Sequence, residues 1–263
     1  MEDAVPSKIH FSESMKPKEL LSAHRYAEAV RAYKHEMCAH PDKNLNDGIG
    51  RAFLALREFD EALKSFRRDN EIESRRLKGN FPSLIKAGTA LWLMGKKLEA
   101  ISEWHRAAAG ILDGTISYGD LAGGGTQGLL LWYASITLKE EAECNYALNY
   151  LNTRASGDPA RAWPRPVILM VLGRGSLEEI LEIGSGSRVL SECLECAKTD
   201  LLKRRHLCQT LFYAACLERQ AGREADCIKK MQICAGLENP IIESEWYLAR
   251  EEILNERNAA RSE

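Results

Sequence analysis

The chain has few prolines, few aromatics, no long uncharged hydrophobic run and no excess of charge of either sign, and each shortage removes a class of protein. No stretch near the roughly 20 apolar residues of a bilayer-spanning helix is free of charges. The start, Met1-Glu2-Asp3-Ala4-Val5-Pro6, lacks the basic opening and apolar centre of a secretory signal. A cytoplasmic protein without membrane contact is therefore expected. Lys and Arg number 36 against 38 Asp and Glu, giving a net charge of −2, so the chain does not carry the basic excess that displaces counterions from nucleic acid. The strongest basic run, Lys203-Arg204-Arg205-His206, reads as a solvated helix start. With only 8 prolines and scarce β-branched runs, sheet is not expected either.

Chemistry-bearing constellations are missing in the same way. His35-Glu36-x-x-x-His40 is one residue too long to place both imidazoles on one helix face, so the zinc-protease pattern fails on spacing. Cys193-x-x-Cys196 could hold half a zinc site, but no second such pair completes it. Eight cysteines in a chain of this size without an export signal are expected to stay reduced, and no metal or other cofactor is expected. Gly123–Gly128 formally contains the G-x-G-x-x-G of dinucleotide sites, yet the segment before it is a poor strand and no βαβ unit surrounds it. It reads as a loop that lets the following helix sit tightly against a neighbour. There is no G-x-S-x-G elbow, and Gly184-Ser185-Gly186-Ser187 reads as a short flexible turn. Carboxylate pairs such as Lys139-Glu140-Glu141 and Glu251-Glu252 read as solvated helix faces. The chain is not expected to be an enzyme; a missed active site would use the glycine-rich loop with Tyr118 and Asp120.

What is present is a helical period and a repeat. Apolar residues three and four apart run through Glu58–Ser74 and Gly95–Ala109, in a chain 45% hydrophobic and 28% charged with a mean hydropathy of −0.33. Three stretches share a small-x3-aromatic pattern: Ala29 with Tyr33, Ala62 with Phe66, and Ala100 with Trp104. The alanines are 33 and then 38 residues apart. Gly50, Phe53 and Phe59 extend the second copy, while Gly88, Leu91, Gly95 and Ala107 extend the third. Tyr26 and Pro41 belong to the first, and Ala215, Gly222, Cys227, Met231 and Cys234 fit the same frame near the C-terminus. These positions resemble the tetratricopeptide repeat, whose period is roughly 34 residues. In that frame Cys227 and Cys234 act as small packing residues.

Further along, the glycine-rich loop, Trp163-Pro164-Arg165-Pro166, Leu172-Gly173 and Glu245-Trp246-Tyr247-Leu248-Ala249-Arg250 follow in an order that resembles bacterial tetratricopeptide immunity partners of polymorphic toxins. The lipoprotein adaptors of that group need an N-terminal lipidated cysteine, whereas the first cysteine here is Cys38. The resemblance implies an all-α solenoid of antiparallel helix pairs, wound as a right-handed superhelix. A tail over 1–15, a single solenoid domain over 16–255 and a tail over 256–263 are expected. A helix should begin near Pro164 or Pro166, with Trp163 anchoring its entry. Trp246, Tyr247 and Ala249 should cap the last repeat.

First helices of such repeats line a concave groove for a protein or peptide. The expected function is thus binding and neutralising a cognate toxin, with a several-partner scaffold or chaperone adaptor as the alternative. Expected partner contacts are Arg51, Arg57, Lys86, Trp92, Tyr118, Asp120, Gln127 and Trp132.

Overall fold

The computed structural model describes residues 15–76, 82–116, 124–156, 163–238 and 243–259, and all regular structure among them is helical. The first half holds α1 (Pro17–Ser22), α2 (Tyr26–Ala39), α3 (Asn46–Leu56), α4 (Phe59–Arg76), α5 (Pro82–Leu93), α6 (Lys97–Leu112), α7 (Gly125–Leu138) and α8 (Glu141–Ser156). The second half holds α9 (Arg165–Val171), α10 (Leu177–Ser185), α11 (Leu190–Thr199), α12 (Leu201–Gln220), α13 (Glu224–Gly236) and α14 (Ser244–Ala259). None of the described helices is long and apolar enough to cross a membrane. The helix start expected near Pro164 falls at Arg165.

Boundaries follow local chemistry. Ser176 accepts the Glu179 backbone N–H while the Glu179 carboxylate takes that of Ser176, a reciprocal cap that opens α10. Asp200 closes α11 and opens α12, its carboxylate accepting from the backbone N–H groups of Leu202 and Lys203. Gly184 and Ser185 are the buried last residues of α10, and Gly186 ends it in the left-handed region at φ 85°. The flexible turn expected there is the end of a packed helix.

Sequence neighbours pack on one another, α3 on α4, α5 on α6, α7 on α8 and α12 on α13. The three small-x3-aromatic pairs fall on α2, α4 and α6, and none of the six side chains is more than 3% exposed. Their spacing is a contact rule. A Cβ added to Gly50 would overlap the Phe66 ring, one on Gly88 the Trp104 indole, and one on Gly128 the Tyr150 ring. Each first helix thus gives up a side chain where the second helix of its pair places its aromatic. At the C-terminal pair Ala215, Cys227, Met231 and Cys234 are all buried, with the Cys208 and Cys234 sulfurs 3.6 Å apart.

The helix α7 is apolar over most of its surface, and the middle of α12 is buried on every side although that helix begins and ends in charged residues. In α7 the run Leu129-Leu130-Leu131-Trp132-Tyr133-Ala134 is buried throughout, and in α12 so is every residue from Leu207 to Cys216. A stretch of helix without a polar face must be enclosed on all sides. They enclose each other: Tyr133 meets Phe212 at 5.0 Å between ring centroids, and Trp132 meets Tyr213 at 6.4 Å. Beside them α14 packs on α12, α13 and α5. The open groove expected along the first helices is consequently filled where α5 and α7 would line it. Trp246, Tyr247 and Ala249 are buried as expected of a cap, but their helix covers α5 as well as the last pair.

Candidate functional site

Arg51 on α3 and Lys86 on α5 converge on one carboxylate, Asp47. The Arg51 guanidinium lies 2.5 Å from it and the Lys86 ammonium donates to its other oxygen. Burial would push the Asp47 carboxyl up, but Lys86 and Arg51 outweigh this and hold it below its ordinary value. Lys86 is itself pushed down, first by burial and then by Arg51. Beneath them Asp69 accepts the Ser83 hydroxyl and, at 2.8 Å, the Asn44 amide; burial pushes its carboxyl up.

The start of α14 closes over this cluster. The hydroxyls of Thr89 on α5 and Ser244 are hydrogen-bonded at 2.9 Å. Arg205 of α12 donates to Glu243 at 2.5 Å, and Tyr213 and Gln209 donate to one oxygen of Glu245 at 2.9 and 3.2 Å. The other Glu245 oxygen is buried without a partner. Burial, followed by the neighbouring Glu243, pushes the Glu245 carboxyl up to about 7. Further along α14, Glu251 pairs with Arg57 at 2.7 Å, while Glu252 accepts the Tyr133 hydroxyl at 2.7 Å and lies 3.2 Å from Arg219.

Of the expected contact residues among those described, only Arg57 is well exposed, its side chain at 43%. Arg51 is partly buried and Lys86 mostly so, both committed to Asp47. Trp92, Gln127 and Trp132 are core residues and offer a partner no surface. Trp92 donates its indole N–H to Tyr133 at 3.1 Å beneath the Lys97 ammonium, and Gln127 donates to the Tyr150 hydroxyl at 2.9 Å. Trp132 is enclosed between α7 and α12 because its helix is apolar over most of its surface. Tyr118 and Asp120 lie outside the described residues.

Local contacts bear on the other sequence readings as well. Gly124 begins α7 in the left-handed region at φ 78°, and its carbonyl accepts the Tyr150 hydroxyl at 2.6 Å. A Cβ on Gly125 would strike Ile168, so the glycine-rich segment closes contacts from within the helix. Glu251 and Glu252 are not a solvated face but two paired carboxylates. The basic run at the start of α12 is tied down too: Arg204 donates to the Ala197 and Lys198 carbonyls. Cys193 is buried beside a half-buried Cys196, and among the described residues no group of three or more His, Cys, Asp and Glu is placed to hold a metal. Trp163 stacks on His206 at 4.0 Å and donates to Gln209 at 2.5 Å.

The acidic residues of α14 are the members of this site that the sequence reading missed. Their signal was the spacing Glu245, Glu251, Glu252 around Trp246 and Leu248, which mixes charge with wholly apolar positions on one helix. No family model matches the chain, and a search of curated proteins returns no match.

Proposed function

We propose that the chain is a tetratricopeptide-type solenoid, its antiparallel pairs wound as a right-handed superhelix, acting in the cytoplasm as a protein-binding immunity protein that neutralises a cognate bacterial toxin. The observation that carries this reading is the recurrent seating of a second-helix aromatic on a first-helix glycine, Phe66 on Gly50, Trp104 on Gly88 and Tyr150 on Gly128. That is the packing rule of helix-pair repeats, whose use is to present extended surfaces to other polypeptides. The glycine-rich segment and Trp163-Pro164-Arg165-Pro166 supply the likeness to immunity partners.

The route to binding differs from a peptide laid along the inner groove. With α12 and α14 seated on α7 and α5, a partner meets the turns between helices and the outer faces. Arg57, at the turn between α3 and α4, is an expected contact residue that lies on such a surface. Co-expression with the toxin encoded beside it tests the reading. Growth should be restored and the two proteins should purify as a stoichiometric complex. Continued killing with both proteins expressed rejects it.

A further inference from the structure

A cleft of about 730 Å³ opens where the α7–α8 turn faces the α12–α13 turn, with α14 at its floor. That volume lies within the roughly 300–1,000 Å³ of ligand sites, and the cleft is open enough to admit a chain segment. The floor is fixed. Arg219 spans Glu224 at 3.1 Å and Glu252 at 3.2 Å, and Tyr133 holds the other oxygen of Glu252. The rim differs: Glu140 and Glu141 are exposed, and neither carboxylate has an ion pair or hydrogen bond among the described residues. Ile136 and Cys144 supply an apolar wall.

The cleft lining carries four carboxylates, Glu140, Glu141, Glu224 and Glu252, against two cations, Lys139 and Arg219. Its charge of −2 equals that of the whole 263-residue chain, so the remainder of the molecule sums to zero. Negative first-turn residues favour a helix start. That accounts for Glu141 at the start of α8 and Glu224 at the start of α13, but not for Glu252, which α14 brings to the floor from the middle of a helix.

We propose that this cleft receives a loop of the protein partner bearing Lys or Arg, its methylenes against Ile136 and Cys144 and its cation between Glu140 and Glu141. This rests on reading the chain as a protein-binding module, and names the surface and the partner's chemistry. The geometry favours arginine or lysine because either brings a long apolar stem to the wall and a charge to the rim.

The test titrates the full chain with a capped nonapeptide of alternating arginine and glycine at low salt, read by calorimetry. Binding should weaken about tenfold in Glu140→Gln/Glu141→Gln and stay unchanged in Glu58→Gln/Asp60→Asn, which alters exposed acids at the start of α4. Bound peptide should also slow alkylation of Cys144 but not of exposed Cys38. Equal binding by the rim variant, equal loss in the α4 variant, or unprotected Cys144 overturns the proposal. Spermidine binding as tightly as the peptide would also overturn it, in favour of a small-amine site. Toxin rescue is independent: intact rescue without rim-dependent peptide binding rejects the cleft alone, and failed rescue with it rejects the immunity reading alone.

Discussion

Glu245 is the side chain with the most to lose from its position. It is fully buried, one of its oxygens has no partner, and Glu243 stands two residues away. With its carboxyl raised to about 7 from 4.5, the folded chain keeps a proton that the unfolded chain releases between those values. Where the folded state binds more protons, stability falls as pH rises. The contribution is complete below about 4.5 and is lost as pH rises through about 7. Its ceiling is about 3 kcal/mol, from 1.36 kcal/mol for each pH unit between the two values. Glu245→Gln keeps the shape and neutral hydrogen bonding without the titration. Urea unfolding at intervals from pH 4.5 to 8 should show the wild type losing stability relative to this variant. Parallel profiles would mean that Glu245 is ionised throughout.

At the scale of the helix pair, the glycine-aromatic contact makes a prediction that runs against intrinsic propensity. Alanine is favoured over glycine inside a helix by about 1 kcal/mol, so a glycine retained there needs a reason. At Gly88 the reason is the Trp104 indole, whose N–H donates to the Ile85 carbonyl at 3.1 Å and therefore cannot slide away freely. Overpacking typically costs about 1–3 kcal/mol, which exceeds the propensity gain. Gly88→Ala should lower the urea midpoint. Gly236→Ala, with no atom near the added Cβ, should leave it unchanged or raise it. This element-scale logic was legible in sequence because a small residue and an aromatic four apart on one helix lie on the same face. The polar partners were not. Glu251 looked solvated because a helix's own charges say nothing of what faces it, and its cation, Arg57, is 194 residues away. Trp92, Gln127 and Trp132 were misplaced for the same reason: the repeat frame gives the first-helix face but not the second layer laid over it.

For the whole molecule, what matters is whether coupling runs only between neighbours. In an open array of helix pairs, each pair is stabilised by the next, and deleting the last costs roughly one interface. Here the last helix touches the middle of the chain: Ser244 reaches Thr89, Glu251 reaches Arg57 and Glu252 reaches Tyr133. Removing residues 243–263 would bare the Trp92–Tyr133 contact and leave Arg57 and Lys97 without their acidic neighbours. Amide exchange should then accelerate on α5 and α7 as strongly as on α13, while the α2 amides, whose main packing is on α1 and α3, keep their protection. Acceleration confined to α12 and α13 would instead describe a linear stack in which α14 is only an end cap. The fully buried Leu248 and Ala249, on a helix that also packs against α5, favour the coupled outcome, because their burial needs α14 held within the core.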